Sequence, residues 1–349
     1  LHLDWNALAE DCQVVELSFI PFHLTHTTCL LPQDRTPTMV ILITADDGKV
    51  YAFAPAQDKR GGFEPMQIDL ILPELTEMTT PKIIMSLDIY HSATSRIVVS
   101  GYQNGELVLL VTAVNPSASP SSTTRNHVYR RSFGGTLTRY VEHLDGSIPR
   151  VFLFSDVAGG GGTSNSSESV HLVVCGALGF AVVYVDVLKN GLSQPQILPG
   201  SSDFDAVLCA HVLDFDCDGS SQIAIGTYSG NLLLYKAQAS EPGEETQAPC
   251  YSLVWQKKMP DPIFSLVPLD LDRDGVDELL VTTQKGLHVL QSNLNQVVQC
   301  VRNFLSSPPT DPVVLNRLRE AVSAALHKGK TRKSTSGIPS NQSIAWMLN

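Results

Sequence analysis

Five stretches of this chain share one pattern of apolar and polar positions: an apolar run, a short polar turn holding a glycine, and a second apolar run. They are 39–54 (MVILITADDGKVYAFA), 96–111 (RIVVSGYQNGELVLLV), 171–185 (HLVVCGALGFAVVYV), 222–236 (QIAIGTYSGNLLLYK) and 278–291 (ELLVTTQKGLHVLQ). Each predicts a β-hairpin, with Gly48, Gly105, Gly179, Gly230 and Gly286 in the turns. A tight hairpin turn needs a positive φ, which costs little only without a Cβ. The strands are nearly continuous in apolar residues, as expected of strands covered on both faces.

The turn glycines follow one another at intervals of 57, 74, 51 and 56 residues. A recurring hairpin at roughly this period, about 40 to 50 residues, belongs to the blades of a β-propeller. The fold class is therefore all-β: a propeller with five blades visible here, seven expected in the full-length protein, and a short C-terminal helix. The stretch 14–31 is expected to give outer strands of the first blade. The long third interval is explained by two polar insertions, 115–126 and 158–169, and a third lies at 241–249. All three lack apolar residues that could pack and are expected to be loops.

In domain terms, 1–310 reads as an incomplete ring of blades, 311–327 as a helix and 328–349 as a disordered tail. Asp311-Pro312 starts the helix, with Val314, Leu315, Leu318, Val322, Ala325 and Leu326 on one stripe. The chain begins with Leu1, without a recognisable signal peptide, and reads as a piece whose N-terminus is missing. An open ring would leave an unpaired edge. The apolar run 170–188 carries His171, Asp186 and two central glycines, so it reads as two strands and a turn rather than a membrane span.

Composition narrows the function. The formal net charge of -11 opposes binding to nucleic acid or directly to anionic lipid. Seven cysteines, Cys12, Cys29, Cys175, Cys209, Cys217, Cys250 and Cys300, show no C-x-x-C spacing and mostly sit in apolar runs. They read as reduced, buried thiols of a cytosolic protein. His23 and His26 point to opposite faces of a strand and do not form a ligand pair. Trp255 reads as a packing residue, Trp5 and Trp346 are dispersed, and Glu241, Glu244 and Glu245 read as solvated. No catalytic motif occurs, so no catalytic residue, cofactor or metal is assigned.

Two loops carry the sharpest motif. DFDCDG holds Asp214, Asp216, Asp218 and Gly219; DLDRDG holds Asp270, Asp272, Asp274 and Gly275. Alternating carboxylates on a turn suit a hard cation such as Ca²⁺. A completing carboxylate belongs four residues after the third Asp. That place is Gln222 in the first loop, which is therefore defective, and Glu278 in the second, which is formally complete. We read both as turns held by their own hydrogen bonds.

These acidic-loop blades resemble FG-GAP repeats, the blade type of integrin α-subunits. The segments 197–219, 227–236 and 253–291, with 3–26, 148–156 (IPRVFLFSD) and 315–322 (LNRLREAV), are similar to the kaptin family. The resemblance implies a non-enzymatic scaffold subunit of the KICSTOR complex. Its implied partners are a second FG-GAP propeller protein, the large KICSTOR scaffold subunit and the Rag-directed GTPase-activating complex. The implied place is the cytoplasmic side of the lysosomal membrane, held peripherally, and the implied role is restraint of TORC1 signalling in starvation. The alternative it carries is F-actin binding in lamellipodia, for which Arg125, Arg130, Arg131 and Arg139 form the one dense basic stretch.

Overall fold

The computed structural model describes residues 14–292 except 31–36, 57–61, 79–81, 93, 115–132, 156–167, 217–219, 239–249, 272 and 274–275. The helix expected at 311–327, the tail 328–349 and nearly all of the three polar insertions lie outside the described residues.

The described chain is a run of antiparallel blades in sequence order. Blade 1 contains β1 (Pro21–Leu30), β2 (Pro37–Ala45), β3 (Val50–Pro55) and β4 (Phe63–Met66). Blade 2 contains β5 (Ile84–His91), β6 (Ser95–Tyr102), β7 (Glu106–Val114) and β8 (Phe133–His143). Blade 3 contains β9 (Arg150–Ser155), β10 (Val170–Gly176), β11 (Phe180–Tyr184) and the two-residue β12 (Gln196–Ile197), with a short helix α1 (Val187–Asn190) before β12. Blade 4 contains β13 (Val207–Leu213), β14 (Gln222–Thr227), β15 (Asn231–Gln238) and β16 (Cys250–Lys258). Blade 5 has three described strands, β17 (Ile263–Leu269), β18 (Glu278–Thr283) and β19 (Gly286–Leu290).

The first strands of successive blades stand side by side: β1 by β5, β5 by β9, β9 by β13, and β13 by β17. They line the axis, and each five-fold repeated hairpin is the second and third strand of its blade. This corrects the reading of 14–31, whose β1 is the inner strand of blade 1. The run 170–188 is the β10–β11 hairpin continuing into α1. Four hairpin glycines have φ between 76° and 84°. Gly286 does not, because it already belongs to β19 and the turn is made by Gln284 and Lys285.

Side chains of one strand serve two cores. In β10, Leu172 and Val174 pack in the cluster shared with blade 2, while Val173 and Cys175 pack in the cluster shared with blade 4. All seven residues of β10 are buried. In β14, Ile223 and Ile225 face blade 3, and Ala224 faces blade 5. The absence of polar alternation in the sequence follows from this, since period-2 neighbours both enter apolar layers. Fully burying one such Val or Leu is worth about 1.5–3 kcal/mol.

Polar ties join the blades near the axis. Val151 N–H donates to Ser86 Oγ (3.1 Å), and Leu153 N–H donates to Asp88 Oδ2 (2.7 Å). The Thr44 hydroxyl donates to the Ile84 carbonyl at 2.8 Å. These satisfy backbone groups on an inner edge that no strand covers. Burial raises the Asp88 pKa, and the Leu153 N–H bond and the Arg150 charge oppose that rise. Between blades 1 and 2, Arg96 and Glu74 form a buried ion pair, with Nη2 2.7 Å from Oε2, and Arg96 also donates to the Ile71 carbonyl.

Two second-strand glycines let blades approach. A Cβ on Gly101 would lie 2.4 Å from Ile148 Cγ2, and one on Gly226 would lie 2.5 Å from Ile263 Cγ2 and 2.7 Å from Cys209 Sγ. Gly226→Ala is expected to destabilise the protein by about 1–3 kcal/mol through overpacking. Gly286→Ala, whose Cβ meets nothing within 4 Å, is expected to leave stability nearly unchanged. Urea unfolding of the two variants beside the parent checks this.

His23 Nε2–H donates to the Leu87 carbonyl at 3.1 Å, and His91 Nε2 is hydrogen-bonded to Thr27 Oγ1 at 2.8 Å. Both bonds cross from blade 1 to blade 2. Burial, with Arg150 near His23 and Arg96 near His91, lowers both pKa values to about 4. The folded values lie below the ordinary 6.5, so the neutral rings contribute stability above pH 6.5 that is lost as pH falls towards 4. Denaturation midpoints are expected to fall across that window, and less steeply in a His23→Gln/His91→Gln variant.

Candidate functional site

The acidic loops connect the inner strand to the second strand of blades 4 and 5, so they share one rim of the propeller. Asp218, Gly219, Asp272, Asp274 and Gly275 lie outside the described residues.

In blade 4 the loop is braced by Gln222, the first residue of β14 and almost fully buried. Its Oε1 accepts the Phe215 N–H at 2.6 Å, and its Nε2 donates to Asp216 Oδ1 at 2.7 Å and to the Ser220 carbonyl at 3.0 Å. Lys236 stands opposite Gln222 across the β14–β15 pair and places Nζ 2.7 Å from Asp216 Oδ2. An amide thus occupies the place of the completing carboxylate, and an ammonium neutralises the loop carboxylate. These residues do not fit a divalent cation. Asp214 is exposed beside them.

Blade 5 repeats the brace with different charge. Glu278 is buried at the start of β18, its Oε2 accepts the Leu271 N–H at 2.9 Å, and its Oε1 accepts Gln291 Nε2 at 3.2 Å. The carboxylate does here what the amide does in blade 4: it holds the backbone N–H of the residue after the first Asp. Arg273 adopts a left-handed backbone (φ 62°) in the middle of the loop. Among the described residues no group of three or more His, Cys, Asp or Glu side chains is placed to hold a metal ion.

The remaining singled-out residues separate. His23 turns towards blade 2 and His26 is exposed on the opposite face of β1. Arg139 is exposed on β8, whereas Arg125, Arg130 and Arg131 lie outside the described residues, as do Trp5, Trp346, Glu241, Glu244 and Glu245. Cys29, Cys175 and Cys209 are buried free thiols, and burial pushes the Cys29 and Cys209 pKa values up to about 11 and about 12. Cys250 departs from the reading of buried thiols: it is exposed at the start of the outer strand β16. Cys12, Cys217 and Cys300 lie outside the described residues.

Two apolar sheet faces complete the surface. Blade 1 exposes Phe22, Leu24 and Met39 on the side away from blade 2, and blade 5 exposes Val267, Leu287 and Val289 on the side away from blade 4. None of the principal contacts among the described residues joins blade 5 to blade 1. Sequence reasoning missed Lys236 and the approach glycines Gly101 and Gly226. A glycine four residues before the hairpin glycine was the visible signal for the latter pair.

A family profile described as KICSTOR complex protein kaptin matches residues 2–302. The KICSTOR complex protein kaptin of Mus musculus is 29% identical over 325 residues, covering 93% of this chain and 67% of the mouse protein. The chain belongs to the kaptin family. Two crystal structures of BBS1N in complex with ARL6DN, soaked with mercury and with lead, are similar at TM-score 0.43 and 12% identity. Each similarity covers 77% of this chain and, respectively, 66% and 69% of the other. The fold assignment rests on the blades themselves.

The braces at Gln222 and Glu278 are expected to hold both loops without metal. Melting in Ca²⁺ and in chelator is expected to give one temperature, whereas a rise with Ca²⁺ would show that the second loop binds the ion.

Proposed function

We propose that this member of the kaptin family is a non-enzymatic scaffold subunit of the KICSTOR complex. In this reading it helps to bring the Rag-directed GTPase-activating complex to the lysosome, and it restrains TORC1 signalling when amino acids or glucose run short. The observation that carries the reading is the family match over residues 2–302, which takes in every described blade.

Physical features support it. A propeller presents loops from successive blades on a rigid frame, which suits simultaneous contact with several proteins. The acidic loops are braced from within by Gln222 and Glu278, so they hold their shape as a contact surface rather than depending on an ion. With a net charge of -11 the chain would be repelled by an anionic membrane, so we place it at the lysosome through its partners, as a peripheral component. No helix among the described residues is long and apolar enough to cross a membrane. The second FG-GAP propeller protein and the large scaffold subunit are the expected direct neighbours.

Affinity purification of the tagged full-length protein from nutrient-starved cells is expected to recover both neighbours, and its depletion is expected to leave TORC1 substrates phosphorylated during starvation. Recovery of neither neighbour, with TORC1 still switched off in depleted cells, would overturn the assignment.

A further inference from the structure

The inner strand β9 opens Arg150-Val151-Phe152-Leu153, and its two faces diverge. Val151 and Leu153 enter the core shared with blade 2, while Phe152 packs on the core shared with blade 4. Side chains two apart on a strand share a face, so Arg150 stands with Phe152. Its guanidinium carbon lies 5.9 Å from the centre of the Phe152 ring, within reach of a cation–π contact. The Phe152 ring in turn meets the His211 ring of β13, with centroids 4.4 Å apart and planes tilted by 44°. Arg150, Phe152 and His211 are all half-buried.

Arg150 is the first residue of β9 and sits opposite Cys175 on β10, just before the hairpin that carries Gly179. It therefore stands at the mouth of the axis away from the acidic loops, which leave the far ends of β13 and β17. Four blades converge on it. Its charge acts on His23 of blade 1, Asp88 of blade 2, Cys175 of blade 3 and His211 of blade 4.

None of these groups pairs with it. Among the described residues Arg150 makes no hydrogen bond and no ion pair. The Asp88 carboxylate is spent on the backbone, accepting the Leu153 N–H at 2.7 Å and its own Ile89 N–H at 2.9 Å. Burial, and after it the Arg150 charge, lowers the His23 pKa to about 4. Burial also lowers the His211 pKa, so both rings are neutral at pH 7. The Cys175 thiol is neutral as well, because burial raises its pKa. The other charges of described residues acting on Asp88 and His211 are those of His26 and of Asp277, which is exposed at the opposite rim.

A guanidinium partly withdrawn from water is costly unless an anion meets it. Its planar fork suits an oxyanion held by two parallel N–H bonds. With one cation, two neutral rings and Asp88 close by, the place balances a single negative charge. A carboxylate meets that count, whereas a phosphate dianion would bring a second charge towards Asp88. We propose that Arg150, at the hairpin-side mouth of the propeller axis, is the anchor of a carboxylate-binding site. The Phe152 and His211 rings give the carbon chain of the acid a flat wall beside the guanidinium.

The test uses the full chain with acetate, inorganic phosphate and chloride at one ionic strength, and a blocked dipeptide with a free C-terminal carboxylate beside its amide. Phenylglyoxal modification of arginines, read by peptide mass, is expected to slow about tenfold at Arg150 when acetate stands at about ten times its Kd. Arg139, exposed on β8, is expected to react at an unchanged rate. Acetate should also raise the melting temperature saturably, and Arg150→Gln should abolish that rise. If this variant does not fold, the phenylglyoxal result on the unaltered chain decides alone. Stronger protection by the peptide acid than by acetate assigns the carboxylate to a partner's chain, and equal protection assigns it to a small free acid. Protection by phosphate without acetate overturns the proposal, as does equal protection by chloride or by the peptide amide. Slowing of Arg139 alongside Arg150, or a melting shift that survives Arg150→Gln, overturns it too.

Discussion

Each interior blade is held by strands whose opposite faces enter two different hydrophobic layers. At β10 this means Leu172 and Val174 on one side and Val173 and Cys175 on the other. Such a strand has no solvent face, so a slip of one residue would exchange the contents of two cores at once. Register is therefore fixed by packing on both sides rather than by a polar face. The buried polar groups then have to be satisfied by neighbouring blades. Ser86 and Asp88 of blade 2 accept the inner-edge N–H groups of Val151 and Leu153 in blade 3, and Thr44 of blade 1 donates to Ile84 of blade 2. The apolar layers set the spacing, and these bonds set the angular position of one blade against the next.

The acidic loops show the same scaffold with its charges rearranged. Both need a group at the start of the second strand to hold the backbone N–H of the residue after the first Asp. An amide does this in blade 4 and a carboxylate in blade 5. The choice decides what must stand nearby. Gln222 carries no charge, so the blade 4 loop carboxylate Asp216 draws its cation from Lys236, one strand further out. Glu278 supplies its own charge and takes a neutral donor, Gln291. Adding a second unit charge at about 4 Å costs roughly 1–4 kcal/mol between water and partial burial, so the two solutions are not interchangeable one residue at a time.

The hairpins were legible because everything that makes them is local: two apolar runs and a glycine that must take a positive φ. The inner strands were not. β1, β5, β9, β13 and β17 follow no repeated glycine signal, and Phe22, Leu24, Phe264 and Val267 are exposed although apolar, so their sequence does not announce which side of the blade they occupy. The reversal of 14–31 from outer to inner strand came from this. Gly286 looked like the other hairpin glycines, but the two-residue turn before it moved the bend onto Gln284 and Lys285. The acidic motif is plain in the sequence, and Gln222 stands in it where a completing carboxylate belongs. The role of Lys236 depends on the β14–β15 register, which brings residues fourteen apart face to face, and no short motif carries that information.

The same two-sided packing explains why the ends of the described propeller differ from its middle. A strand written for two apolar layers remains apolar on both faces where only one neighbouring blade stands beside it among the described residues. Blade 1 thus exposes Phe22, Leu24 and Met39, and blade 5 exposes Val267, Leu287 and Val289, without any change in the pattern that builds blades 2 to 4. Such faces are not surface decoration, because an exposed apolar sheet face is a strong drive to association. Coverage by more chain is the solution already used inside the protein, where α1 and the residues after it close over Tyr140 in place of a long fourth strand. A face covered that way keeps its packing yet offers a different outer surface, polar where the helix turns outward. The blades can therefore share one interior pattern while their rims diverge, and it is on the rims, where the acidic loops stand, that a scaffold distinguishes one partner from another.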